Sequence, residues 1–145
     1  MAINKVREEY DFILIDTPPN LSIQTINALI ASDYVVVMFE TSKFSYNAIP
    51  RFMDSITGAR DNGNPDLKIA GILATLSDAR RTDNKELLEL IHGEYGDLVF
   101  KTTIPRRAAI GRLSVYGFFD NPELRQATEI HKHFIEELLS RVTQR

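Results

Sequence analysis

Asp16 closes the run Tyr10-Asp11-Phe12-Ile13-Leu14-Ile15-Asp16 and is followed at once by Thr17, Pro18 and Pro19. A carboxylate at the tip of an apolar strand can hold a divalent cation and, through it, the phosphates of a nucleotide. Phe12-Ile13-Leu14-Ile15 is apolar without alternation, which predicts a strand of a parallel sheet covered by helices on both faces. Ligands of open α/β sheets sit beyond the carboxyl ends of such strands, where Asp16 falls. Pro18 and Pro19 fix φ and remove two backbone donors, so they stiffen the loop beside Asp16. The competing reading is a solvated carboxylate at a strand end. A second candidate is Asp78-Ala79-Arg80-Arg81, where Asp78 or its neighbours approach a base and Arg80 and Arg81 face the phosphates of a nucleotide or of DNA. The same residues also read as an ordinary helix start, with Thr82 or Asp83 capping and Glu86 three residues after Asp83.

The elements that would position these groups alternate between strand and helix, without repeats or low-complexity linkers. Ser22 is the expected N-cap of a helix reaching Ala31, with Ile23, Ile26, Leu29 and Ile30 at core spacing. Residues 34–39, YVVVMF, predict a buried β-branched strand. A helix is expected over 45–60, with Pro50 implying a late start or a kink. The DNGNP stretch at 61–65 is a turn. Strands over 67–76 and 98–104 and helices over 82–95 and 122–142 complete the pattern, which shows no domain boundary within 1–145.

The order of motifs resembles the ParA/MinD family of deviant-Walker ATPases, in particular the ParA-type partition ATPases. Tyr10-Asp11, Asp16-Thr17-Pro18-Pro19, Ala28-Leu29 and Ala31-Ser32-Asp33 are similar to that family's Walker B region. Gly71-Ile72-Leu73 leading to Asp78-Ala79-Arg80, and Thr103-Ile104-Pro105-Arg106, are similar to later family segments. The resemblance implies an α/β fold of the P-loop NTPase (SIMIBI) class, a mostly parallel sheet flanked by helices. It implies Mg2+ and ATP as cofactors. Asp16 would organise the magnesium water shell, Thr17, Pro18 and Asp78 would lie at the nucleotide, and Pro105 and Arg106 would border the base. Implied partners are a second copy, a ParB-type centromere-binding protein and nonspecific DNA, in a cytoplasmic, nucleoid-associated setting of bacterial or mobile-element origin.

The family's glycine-rich Lys-Gly-Gly-x-Gly-Lys-[Ser/Thr] loop, which cradles phosphates, is not in this sequence. The chain therefore reads as the C-terminal portion of a ParA-type domain starting just before the Walker B strand, and by itself is not expected to hydrolyse ATP at a useful rate. A non-catalytic interaction module and a ParA-like ATPase positioning another cargo are the alternatives. In this class the phosphate-loop strand lies between the Walker B strand and the strand after it. Without that strand the sheet is expected to be rearranged or completed by a second chain.

Charge is segregated within a net −3. Residues 101–119 carry Lys101, Arg106, Arg107 and Arg112 and no acid, which with Arg80 and Arg81 makes a candidate surface for nonspecific DNA binding. Many chromosomal relatives continue after Ile-Pro-Arg with Asn-x-Arg-x-Ser-Glu. Here Arg107-Ala108-Ala109 follows instead, so the arginine expected at Ala109 is absent; Arg107 and Arg112 are the candidates to substitute for it, and the competing reading of the run is a solvated basic loop. Zero cysteines exclude disulfides and thiolate metal sites. His92, His131 and His133 are scattered and read as surface residues. No segment is apolar enough to span a membrane, and residues 1–12 lack a signal-peptide core. In the last helix Ile130, Phe134, Ile135, Leu138, Leu139 and Val142 form one stripe with Glu129, Glu136 and Glu137 among the polar positions, a face for packing on a sheet and not on lipid.

Overall fold

The computed structural model describes residues 3–18, 20–78, 82–117 and 122–143. Among the described residues five helices and two strands follow in the order α1 (Ile23–Ala31), β1 (Tyr34–Glu40), α2 (Lys43–Asn62), β2 (Lys68–Thr75), α3 (Thr82–Tyr95), α4 (Ala108–Tyr116) and α5 (Pro122–Val142), with short 3-10 turns at Ile3–Lys5, Arg7–Glu9 and Gly96–Leu98. The chain divides into two compact units, Met1–Val35 with Pro50–Lys68, and Val36–Ile49 with Ile69–Arg145.

In the first unit, Thr25 and Leu29 of α1 are buried, as are Ile56 and Ala59 of α2 and Leu67. Ile23, expected to face the core, is 73% exposed, and Thr25 takes the inward position. Ser22 stands at the N-cap but its hydroxyl does not cap the helix and is buried without a hydrogen-bond partner. The turn is locked by Asn64, whose side-chain amide donates to the Leu29 and Ser32 carbonyls at 3.0 and 2.6 Å. One contact thereby ties the end of α1 to the start of β2, satisfying carbonyls that a helix end leaves free.

Residues 12–15 correct the sequence expectation: they form no strand. A strand exists only where a neighbour supplies its ladder partners, and among the described residues none does. Phe12, Ile13 and Ile15 are exposed and Leu14 is 90% exposed.

In the second unit β1 and β2 pair side by side. The Thr41 N–H donates to the Thr75 carbonyl at the far ends of both strands, while the Lys68 N–H bonds the Asp33 carbonyl at their starts, which makes the pair parallel with α2 as its crossover. Val37 and Phe39 are buried but Met38 is 62% exposed, so β1 is covered on one face and not on both as its sequence suggested. Helix α2 starts earlier than expected because the Ser42 hydroxyl accepts the Ser45 N–H, and Pro50 sits inside it. The segment 98–104 is not a full strand. It touches β2 through the parallel bridge of Ile72 with Val99 and through the Phe100 and Ile104 N–H groups, which donate to the Ile72 and Ala74 carbonyls, and just beyond the two segments Ser77 bridges Pro105.

What replaces the missing ladder there is a side chain. The Arg141 guanidinium of α5 donates to the carbonyls of Ala70, Leu98 and Val99, each at 3.1 Å, and to Glu137 at 3.0 Å. It also stacks over the buried Phe100 ring at 4.0 Å, and Phe100 meets Phe134 edge-on at 5.1 Å. Glu137 in turn accepts the Lys101 and Thr102 N–H groups at 2.8 and 3.0 Å. Burial pushes the Glu137 carboxyl up, but those N–H groups and Arg141 outweigh it and leave it below its ordinary value. Of the expected apolar stripe of α5, Ile130, Phe134, Leu138, Leu139 and Val142 are half-buried and Ile135 is 51% exposed, while the fully buried positions of the helix are Leu124 and Ala127, which lie outside that stripe. Helix α4 was not foreseen in the sequence; it lies against α5. No helix among the described residues is long and apolar enough to cross a membrane.

Candidate functional site

Beyond the carboxyl end of β2 the backbone turns at Leu76, whose φ of +54° is a conformation that a side chain of this kind adopts only when its surroundings hold it there. Next, Ser77 pairs with Pro105, and the Arg106 N–H donates to the Ser77 carbonyl at 3.0 Å. The two parallel segments thus end together, and a cavity of about 350 Å³ opens at that end. Ser77, Thr103 and Pro105 form its floor, Asn84, Lys85 and Leu88 of α3 one wall, and Gln126, Ala127 and Ile130 of α5 another, with Arg107 at the rim. Its volume lies in the range of small-molecule sites, and apolar walls with a few polar groups are their usual chemistry.

Asn84 fixes this end of the sheet. Its amide orientation is assigned from its partners: the nitrogen donates to the Thr41 carbonyl at 3.0 Å, and the oxygen accepts the Thr41 hydroxyl at 3.1 Å and the Asp78 N–H at 2.8 Å. One buried side chain on α3 therefore ties together the loops that follow β1 and β2. The sequence carried a signal for it: Asn84, Leu88 and Ile91 share a face at i, i+4 and i+7, and a polar residue on such a stripe needs buried partners.

Of the residues singled out from sequence, Pro105 lines the cavity and Asp78 stands beside Ser77, half-buried. Arg106 is exposed and lies 3.6 Å from the Glu40 carboxylate. Asp16 and Pro18 are exposed and Thr17 is half-buried; all three belong to the other compact unit and none lines the cavity. Pro19, Arg80 and Arg81 lie outside the described residues. Asn84, Lys85 and Gln126 come to the site from helices that sequence reading had assigned to packing.

The acid-free run 101–119 meets acids from other elements. Arg112 is paired with Glu123, Arg106 with Glu40, and the Lys101 backbone N–H with Glu137. Arg107 and the Lys101 side chain are exposed. Among the described residues no cluster of three metal-ligating side chains occurs. His92 and His133 are exposed as expected, whereas the Nδ1 of His131 is buried without a partner.

The family model described as an AAA domain matches residues 1–69. The sporulation initiation inhibitor protein Soj of Bacillus subtilis is 34% identical over 116 residues, covering 80% of this chain and 46% of Soj. The chromosome partitioning protein ParA of Myxococcus xanthus is 31% identical over 116 residues, covering 80% of this chain and 41% of that protein. The chain belongs to the ParA/MinD-type family. A solved structure of cobyrinic acid a,c-diamide synthase from Mycobacterium smegmatis, with a bound ATP analogue and magnesium, is 29% identical. It covers 81% of this chain and 53% of that one, with a TM-score of 0.65. The fold is accordingly α/β and P-loop NTPase-like, with a parallel sheet. This ParA/MinD-type chain spans less than half the length of the curated relatives it matches.

Proposed function

We propose that this chain is the C-terminal part of a ParA-type ATPase that segregates plasmid or chromosomal DNA through ATP-dependent dimerisation and nonspecific DNA binding. The observation that carries the reading is the cavity at the joint end of β2 and the 98–105 segment, found in a chain that is 31% identical to a chromosome partitioning protein over 80% of its length. Its apolar walls at Leu88, Pro105, Ala127 and Ile130 suit the faces of a planar base, while Asn84, Gln126 and Ser77 can meet its polar edge. The residues present therefore fit the base of a nucleotide. Lys85 and Arg107 supply positive charge at the rim.

Bound Mg-ATP would supply a phosphoryl group to be transferred to water and the free energy that stabilises the dimer. Asp16 would hold the magnesium through its water shell, its carboxylate being exposed, and Thr17 and Pro18 would shape the loop next to it. Asn84 keeps the loops after β1 and β2 in place and holds the Asp78 N–H next to Ser77. Arg107 and Lys101, exposed and in an acid-free run, would contribute to a DNA-facing surface, with Arg112 joining when released from Glu123. A ParB-type protein would be the partner, in a nucleoid-associated, cytoplasmic setting.

Calorimetry with Mg-ATP on this chain, beside the same chain extended upstream through a Gly-Lys-rich loop, tests the reading. Binding by the extended form that is weakened at least tenfold by Asp16→Ala supports it. Binding by neither form refutes it and favours the non-catalytic interaction module.

A further inference from the structure

Helix α3 serves two sites of the second unit. Asn84, Lys85 and Leu88 line the cavity at the end of β2, whereas Glu86, Leu90 and Glu94 line a groove to which α2 contributes Tyr46. Asn84 and Leu88 repeat at four-residue spacing, as do Glu86, Leu90 and Glu94, and the offset of two residues sets the two rows about 200° apart around the helix. Two side-chain ties join α3 to the start of α2. Near the N-terminus of α3, Asn84 donates to the Thr41 carbonyl and accepts the Thr41 hydroxyl. Thr41 is buried and leads directly into Ser42, whose hydroxyl receives the Ser45 N–H in the first turn of α2. At the other end of α3, the Glu94 carboxylate accepts the Tyr46 hydroxyl and also bonds Tyr95. Continuous helix, about 15 Å of it, separates the two ties. Pro50 has no N–H for the Tyr46 carbonyl, so α2 lacks a backbone bond just past the turns that α3 holds. Those first turns are the part of α2 best able to follow α3.

We propose that α3 is a lever through which a base seated in the cavity repositions residues 43–49, the first turns of α2. The base bears on Asn84 and Leu88 from the cavity side, and the helix, stiff along its length, passes the displacement on at Thr41 and at Tyr46. Thr41, Tyr46 and Glu94 are therefore positioning residues, acting through α3 on a ligand that they do not line. The coupling is reciprocal: whatever holds residues 43–49 in their shifted position raises nucleotide affinity by the factor with which the nucleotide favours that position. The inference rests on the proposal that the cavity takes a base, but binding and its transmission are read by separate measurements, so the two fail separately.

The test uses the absence of cysteine from the chain: Asn47→Cys, at an exposed position in these turns, takes a single trifluoromethyl label. The probe is Mg-ADP on the upstream-extended chain, which brings the base without the γ-phosphate of ATP-dependent dimerisation. Calorimetry reads binding and fluorine NMR reads residue 47. Mg-ADP is expected to shift the fluorine resonance. Tyr46→Phe and Thr41→Val, neither at a cavity-lining position, are each expected to cut that shift by at least half while Kd stays within about threefold of the parent. Tyr46→Phe removes only a hydroxyl from a half-buried ring, so the test does not depend on Thr41→Val folding. Binding without a shift at residue 47 overturns the lever and spares the base assignment. A shift undiminished in Tyr46→Phe also overturns the lever, and no binding of Mg-ADP by the parent overturns both.

Discussion

Replacing Gly71 by alanine tests the Arg141 network at its tightest point. A Cβ built at Gly71 would lie 2.5 Å from Arg141 Nη1, 2.6 Å from Phe100 Cε2 and 2.7 Å from the Leu98 carbonyl oxygen, at a φ of +157°. Heavy atoms in good contact are about 3.5–4.0 Å apart, so all three must give way. Phe100 is fully buried and held between Phe134 and Arg141, and the Leu98 oxygen is backbone, which leaves the guanidinium to move. If it moves, the carbonyls of Ala70, Leu98 and Val99 lose their donor, at about 1 kcal/mol each, and overpacking costs roughly 1–3 kcal/mol. The expected destabilisation is about 4–6 kcal/mol, a large share of the 5–15 kcal/mol that holds a typical domain together. Gly58 supplies the control: it lies inside α2 with nothing within 4 Å of its would-be Cβ. Gly58→Ala should stabilise by about 0.5–1 kcal/mol through helix propensity. Urea unfolding followed by circular dichroism reads both. If the midpoints of Gly71→Ala and the unmodified protein coincide, the close packing of Arg141 on β2 is refuted.

Three further outcomes are expected. Asn84→Leu removes three buried hydrogen bonds and strands the Asp78 N–H and the Thr41 hydroxyl, so thermal unfolding should show a loss of about 2–4 kcal/mol, larger than for Asn62→Leu on exposed α2. Glu137 has a folded-state pKa below 4.5, so the stability it contributes is complete above pH 4.5 and is lost as pH falls through the lower folded value. Glu137→Gln should cost about 2 kcal/mol at neutral pH and flatten the fall in stability below pH 4.5, as measured by denaturant midpoints across pH. Ala127→Phe should fill the cavity and weaken Mg-ATP binding by the upstream-extended chain at least tenfold, with a melting temperature within a few degrees of the parent, as calorimetry and thermal scans will show.

Periodicity placed α1, β1, β2, α3 and α5 because each carries its own apolar pattern, such as Ile130, Phe134 and Leu138 on α5. Residues 12–15 carry an equally strong strand pattern and form no strand, since strand structure depends on a neighbour that local sequence does not contain. Helix α4 escaped notice because Arg106 and Arg107 just before it and Gly111 within it read as a basic loop until α5 lies beside it and Glu123 pairs with Arg112. Pro50 argued for a late start or a kink, but α2 starts at Lys43, beside the Ser42 hydroxyl that accepts the Ser45 N–H, and runs on with Pro50 inside it. At the candidate site, Pro105 stood out through the family resemblance of Thr103-Ile104-Pro105-Arg106, whereas Asp78, singled out in the same way, lies next to Ser77 without lining the cavity. Lys85 and Gln126 were not, because only the packing of α3 and α5 around the end of β2 brings them there.

The proposal that the cavity at the end of β2 takes a nucleotide base is tested most directly by photolabelling with 8-azido-ATP and magnesium on the upstream-extended chain. Peptide mapping should place the label within residues 103–107, 84–88 or 126–130. Specific label confined to peptides outside those three would contradict the assignment.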